Sequence, residues 1–504
     1  MNKLNERRTA DFIQDEEIRE ALQYGSDAAS DPQIIAAILE KAKACKGLSS
    51  REAAVLLHVE DKETLEQLYR VSRGIKEQIY GNRIVLFAPL YVSNYCVNNC
   101  VYCGYKHSNS EFARSRLNAA EITEEVKVLQ ALGHKRLVLE AGEDPRNCSI
   151  DYIIDCIRTI YDTKLDNGSI RRINVNIAAT TEEDYRRLAA AGIGTYILFQ
   201  ETYHRPSYRN FHPEGPKHDY DWHTTAMDRA MAAGIDDVGI GVLYGLYDHK
   251  YDTIAMLKHA EHLEQAFGCG PHTISVPRLR AAENVNLDNY PHLVSDADFA
   301  RIVAVLRMAV PYTGMILSTR EDSEFRDQII RLGISQISAG SATGVGAYSV
   351  NKNKEDTPQF TVGDHRSPME IIKSLCKDGY VPSYCTACYR EGRTGDRFMQ
   401  LAKSGQIHNV CQPNSLMTFQ EYLLDYADEE MRAIGEQTIR ENLERIPREG
   451  VRKATREQLQ RIHAGRGICG SSVNVPGREL TPGLICKKAE YSTGTGVKKI
   501  NLQI

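Results

Sequence analysis

The hydrophobic pattern changes period twice along the chain, near residue 83 and again near 345. Over residues 1–80, apolar positions recur at three- and four-residue spacing, as in DPQIIAAILEKAKAC and SSREAAVLLHVEDKETLEQLYRVSRGIKEQIYG. That spacing predicts amphipathic helices, with Asp31 and Ser49–Ser50 standing where N-caps belong. From 83 onward, short apolar runs alternate with helical stretches. Strands are predicted at 84–91, 136–140, 173–177, 195–200, 237–243, 273–279, 315–319 and 334–338. Helices are predicted near 123–132, 150–161, 182–191, 222–233, 251–266, 296–309 and 321–332.

Eight strands interleaved with helices predict an α/β fold of the (β/α)8 TIM-barrel type; a doubly wound open sheet is the alternative. Beyond 345 the alternation stops. A polar stretch leads to a cysteine-bearing region, a short helix is read over 396–404, and helices are predicted from about 418 to 464. The chain is thus read as an N-terminal helical region (1–80), a barrel (81–345), a helical C-terminal region (346–464) and an extension (465–504) rich in Gly, Ser and Lys.

Charge removes some classes of function. The 504 residues carry a net charge of −5, with 42% hydrophobic and 26% charged residues. Nothing favours nucleic acid or an anionic membrane as partner. The first residues are polar with no apolar leader, and no run reaches the length of a spanning helix. The expected location is cytoplasmic.

The thirteen cysteines change the picture more. In a reducing compartment they are not expected to form disulfides. Cys45, Cys148, Cys156, Cys269 and Cys376 are scattered singly and read as small buried hydrophobes. Two groups are clustered. The segment SNYCVNNCVYCGYKH places Cys96, Cys100 and Cys103 in a Cys-x3-Cys-x2-Cys array just after the first predicted strand. Three thiolates on one loop can hold three corners of a [4Fe–4S] cube and leave one iron open. Position after the strand puts them at the C-terminal face of a barrel, where active sites sit. The second group is Cys385-x2-Cys388-x22-Cys411, again a triad without an obvious fourth cysteine. Structural zinc is the competing reading for either triad, with His408 as a fourth ligand at the second.

The first array, with Tyr102 before its last cysteine, resembles the radical S-adenosylmethionine (SAM) superfamily. LEAGEDP (139–145) is similar to the family's SAM-contacting turn, which would place Ala141, Gly142 and Glu143 at the cofactor, although alanine replaces the family's first glycine. GIGVLYGL (239–246) is similar to the strand along which the family lays adenine. Adding the second triad, residues 30–460 resemble the HydG family of [FeFe]-hydrogenase maturases. Supporting strings are NVNIAATTEEDYRRLAAAGIGTYILFQETYH, GPHTISVPRLRAAE and ILSTREDSEFRD.

That resemblance implies a radical SAM lyase. It would cleave the Cα–Cβ bond of L-tyrosine to p-cresol and dehydroglycine, then convert the fragment to carbon monoxide and cyanide at an auxiliary cluster for H-cluster assembly. The implied cofactors are two [4Fe–4S] clusters, SAM and an additional iron on the auxiliary cluster, with His272 matching that iron's histidine. Implied partners are an electron donor such as ferredoxin or flavodoxin and other hydrogenase maturation proteins. The substrate carboxylate calls for an arginine. Candidates are Arg278, Arg280 and Arg320, of which Arg320 is favoured, with Ser318 and Thr319 beside it as hydroxyl donors. Glu201, Tyr203 and His204 end the fourth strand as candidate cavity residues. The alternatives are a ThiH-like enzyme that stops at the small fragment (2-iminoacetate), against which the second triad argues, and a non-catalytic iron–sulfur scaffold. The tail past about 465, with Cys469 and Cys486, does not match the family.

Overall fold

The structure is a computed structural model and describes residues 8–165, 168–282, 285–349 and 358–464. Cys469, Cys486 and the extension read at 465–504 lie outside the described residues.

Eight parallel strands close into a barrel: β1 (Arg83–Ser93), β2 (Arg136–Ala141), β3 (Arg172–Asn176), β4 (Tyr196–Ile197), β5 (Val238–Gly241), β6 (Thr273–Ser275), β7 (Gly314–Leu317) and β8 (Gln336–Ser338). β8 pairs back onto β1, with Val85 opposite Gln336 and Phe87 opposite Ser338. The open-sheet alternative is thereby excluded. Side chains alternate across the barrel wall, because successive strand residues face opposite sides. Along β1, Ile84, Leu86, Ala88 and Leu90 join the core under the helices. Arg83, Val85, Phe87, Pro89 and Tyr91 point into the barrel and line its cavities.

Helices cover the outside. The N-terminal helices Asp15–Ala28, Pro32–Lys43, Ser50–Leu57 and Lys62–Tyr80 pack on the barrel. Asp31 caps the second, and Ser49 and Glu52 form a capping box on the third. The helix expected at 222–233 is divided into Tyr220–Thr224 and Ala226–Ala232. At the break, the Thr225 hydroxyl donates to Asp221 O at 2.7 Å, a side-chain bond that competes with the helical ladder.

The C-terminal part departs most from expectation. A ninth strand, β9 (Val381–Ser383), adds in parallel to the start of β1, with Arg83 opposite Val381 and Val85 opposite Ser383. The helix expected from 418 begins at Ile407 and runs to Tyr426 through Pro413. It therefore carries Cys411. The helices Pro368–Lys377, Gly395–Lys403, Glu429–Glu444 and Glu449–His463 also belong to this region. Among the described residues no helix is long and apolar enough to cross a membrane.

Candidate functional site

The barrel interior holds two cavities separated by an apolar layer. Phe87, Val138, Ile197 and Ile316 pack together with Phe199 to form it. Above them, toward the strand C-termini, lies a cavity of about 210 Å³. Below them, at the strand N-termini, lies a smaller one of about 60 Å³. β1 has eleven residues, so at about 3.3 Å per residue its ends are roughly 33 Å apart.

Cys96, Cys100 and Cys103 line the upper cavity. The loop that bears them is tied to the turn after β2. The Val97 N–H donates to Glu143 O at 2.7 Å, and the Gly142 N–H donates to Ser93 O at 3.1 Å. Asn98 Nδ2 donates to Glu143 Oε2 at 2.6 Å and lies 3.8 Å from Cys96 Sγ. A Cβ at position 142 would collide with Tyr95 O, so the close approach of turn and loop requires glycine there. Ala141, Gly142, Glu143 and Tyr102 also line this cavity. Tyr102 OH donates to His212 Nε2 at 2.7 Å, the tautomer being set by Tyr208 O beside Nδ1. Gln359 Nε2 donates toward Cys103 Sγ at 3.8 Å.

Burial pushes the Cys96 and Cys100 thiols up, and Cys103 to about 11. Three such thiols become thiolates when a cationic iron core compensates their charge, so the site suits a cluster. Among the described residues no three His, Cys, Asp or Glu groups draw close enough to hold a single metal ion. A cube instead spreads its thiolates over separate corners.

The three candidate arginines separate clearly. Arg278 Nε donates to Glu321 Oε1 at 3.1 Å and its Nη1 to Asp296 at 2.8 Å, while Arg280 also pairs with Glu321. Neither lines the upper cavity. Arg320 does, together with Ser318 and Thr319. Its guanidinium lies 3.4 Å from the centre of the Phe360 ring, and it forms no ion pair among the described residues. Glu201 lines the cavity, with a backbone φ of 71° and its carboxylate 2.7 Å from Lys217 Nζ. Tyr203 is fully buried against His259, and His204 stacks on Tyr247; neither reaches the cavity. Gly239 and Gly241, in the strand likened to the adenine track, sit where a Cβ would strike Thr273 and Phe199, so tight packing accounts for them.

Glu140 was not singled out from sequence. It faces the upper cavity from β2, two residues beyond Val138 of the apolar layer. Burial lifts its carboxyl to about 8, against the Asn176 hydrogen bond and the charge of Arg320, both of which favour the anion.

The second triad comes together in the lower cavity. β9 places Cys385 there, a short helix (Ala387–Arg390) Cys388, and the helix from Ile407 Cys411. The Cys388 thiol donates to Cys411 and, with Arg83 and Arg393 nearby, holds it below the usual thiol range despite burial. His272 lines the same cavity with Nδ1 3.4 Å from Asp237 Oδ1. His408 does not; its Nε2 contacts Gln78 O instead. Arg83, Arg136 and Arg393 complete the wall. The first two could have been found from strand register, since both start strands on the inward-facing parity; Arg393 carries no such signal.

The radical SAM superfamily matches residues 90–260, and the biotin and thiamin synthesis associated domain matches 275–381. A crystal structure of HydG, a maturase of the [FeFe]-hydrogenase, is 64% identical with a TM-score of 0.88, covering 90% of this chain and 99% of that one. The chain belongs to the HydG family of radical SAM enzymes. HydG from Carboxydothermus hydrogenoformans is 39% identical with a TM-score of 0.78, again covering 90% of this chain and 99% of that one. The 2-iminoacetate synthase of Escherichia coli strain K12 is 30% identical over 348 residues, which are 69% of this chain and 89% of the relative. Membership in a radical SAM family implies a [4Fe–4S] cluster and SAM, and the upper cavity has the thiols for it.

Proposed function

We propose that this HydG-family chain cleaves the Cα–Cβ bond of L-tyrosine in the upper cavity, giving p-cresol and dehydroglycine. We propose further that the fragment becomes carbon monoxide and cyanide in the lower cavity, for assembly of the hydrogenase H-cluster. The observation that carries this reading is the placement of two cysteine triads at opposite ends of one barrel, with Arg320 half-buried beside the upper one.

Bound on Cys96, Cys100 and Cys103, a cluster with SAM supplies the electron transfer and the 5′-deoxyadenosyl radical. The chain's own residues position and exclude. Ala141, Gly142, Glu143 and Tyr102 shape the SAM end. Arg320 takes the tyrosine carboxylate through its two-pronged guanidinium, with Ser318 and Thr319 donating beside it. The walls keep bulk water from the radical. In the lower cavity, Cys385, Cys388 and Cys411 would hold the auxiliary cluster. His272 Nδ1 lies 3.4 Å from Asp237 Oδ1, which would leave Nε2 as the nitrogen for the additional iron; carboxylates orient metal-bound histidines in this way. Ferredoxin or flavodoxin as electron donor and other hydrogenase maturation proteins as recipients follow from the same reading.

The test is product analysis of the anaerobically reconstituted full chain with tyrosine, SAM and dithionite. Cys388→Ala and Cys411→Ala variants are expected to form p-cresol while losing carbon monoxide and cyanide. Undiminished carbon monoxide and cyanide from those variants would refute the assignment of the lower cavity. Absence of p-cresol from a wild type that cleaves SAM would refute the substrate.

A further inference from the structure

The lower cavity has more positive charge than three thiolates and a cluster explain. Among the described residues, three guanidinium groups line it, from Arg83, Arg136 and Arg393, and no carboxylate does. Two of the three are engaged. Arg83 hydrogen-bonds to Cys411, and Arg136 donates to Cys385 O at 3.1 Å. Arg393 differs. Its Nε and Nη2 are buried without an acceptor among the described residues. A buried charged donor left unpaired costs free energy, so a native position of this kind calls for a ligand.

The backbone holds Arg393 at this place. Its N–H donates to Cys388 O at 2.8 Å, which fixes the residue five positions past the cysteine. Gly392 and Gly395 flank it at φ of 61° and 52°, so the chain turns tightly around it. An oxidised [4Fe–4S] core with three thiolates carries about one negative charge, which leaves roughly two of the three guanidinium charges uncompensated. His272 adds no charge when neutral, and Asp237, the nearby carboxylate, faces His272 and Arg172.

We propose that Arg393 forms an anion-binding subsite of the lower cavity, which holds a small monoanion of cyanide size beside the open corner of the cluster on Cys385, Cys388 and Cys411. This rests on the auxiliary-cluster reading above. Arg393 acts on the ligand by charge-assisted hydrogen bonding. Neutral carbon monoxide gains nothing from it. The subsite therefore retains the anionic product more strongly than the neutral one.

The experiment uses the full chain with both clusters reconstituted, titrated with potassium cyanide or, separately, with carbon monoxide. Binding is read from the electron paramagnetic resonance signal of the reduced auxiliary cluster, with iron and sulfide counted for each variant. Arg393→Gln is expected to weaken cyanide binding by about 30-fold or more, while carbon monoxide binding changes less than about threefold. Equal cyanide affinity in Arg393→Gln and wild type, at equal iron content, overturns the subsite. Failure of a fully loaded wild type to bind cyanide at all overturns the auxiliary-cluster reading itself, a separate result. Should Arg393→Gln lose its auxiliary iron, competition in the wild type decides. Displacement of cyanide by formate, with carbon monoxide binding untouched, supports the subsite; no displacement overturns it.

Discussion

Replacing Arg320 with glutamine removes a cation that no carboxylate pairs with directly among the described residues. The guanidinium stacks on Phe360 at 3.4 Å and has no ion-pair partner among the described residues. What surface it keeps open faces the upper cavity. A substrate carboxylate bound there would be withdrawn from bulk water. Truncating one partner of such a buried, hydrogen-bonded charge pair costs about 2–5 kcal/mol. At about 1.4 kcal/mol per factor of ten, the KM for tyrosine rises roughly 30- to 3000-fold. Arg320→Lys keeps the charge but loses the fork and the ring contact, so its KM rises by about tenfold. The assay is p-cresol formation against tyrosine concentration, with 5′-deoxyadenosine measured alongside to keep SAM cleavage in view. Arg280→Gln is the control. Arg280 already pairs with Glu321 outside the cavity, so its KM shifts less than about threefold. An Arg320→Gln enzyme with near-wild-type KM, or an Arg280→Gln enzyme matching its defect, would refute the reasoning.

Two further outcomes follow from the upper cavity. Glu140 has its carboxyl lifted to about 8 by burial, above the ordinary 4.5. The folded state therefore binds its proton more tightly than the unfolded chain. Stability from this group is full below about pH 4.5 and is lost as pH rises through 8. Relative to Glu140→Gln, the wild type should lose on the order of 4 kcal/mol across that window, read from anaerobic denaturant midpoints; parallel pH profiles for the two proteins would contradict this. Gly142→Ala forces Tyr95 O away from the turn, so the first triad should lose its cluster, roughly four irons per chain, while the second keeps its own. Full iron content and normal SAM cleavage in that variant would show that the loop tolerates the shift.

Much of this site is local in origin and so legible in one dimension. Short apolar runs mark the barrel strands, because a parallel strand covered by helices on one side and facing the barrel interior on the other is largely apolar on both faces. Cys96, Cys100 and Cys103 sit on one short loop, so their spacing alone brings them together. Arg320 could be nominated from its place after a strand and favoured for the hydroxyls of Ser318 and Thr319 beside it, but its rivals could not be removed. Its rivals Arg278 and Arg280 occupy equivalent positions, and only their pairing with Glu321, more than forty residues away, removes them.

The second triad shows the limit more sharply. Its spacing is readable, but the end of the barrel that it occupies is not. That depends on β9 pairing with the start of β1, nearly three hundred residues earlier in the chain. It depends also on a helix that runs through Pro413, which local rules would stop. Glu140 and Arg393 escaped notice for the same reason. A glutamate on a strand and an arginine in a loop look ordinary until burial shows what surrounds them. The sequence by itself determined the barrel, the two thiol triads and the family. Tertiary structure decided that the triads line opposite cavities and which of the arginines there stay without a carboxylate partner among the described residues. Periodicity and spacing are properties of neighbouring residues, whereas charge compensation is settled only once distant segments have packed.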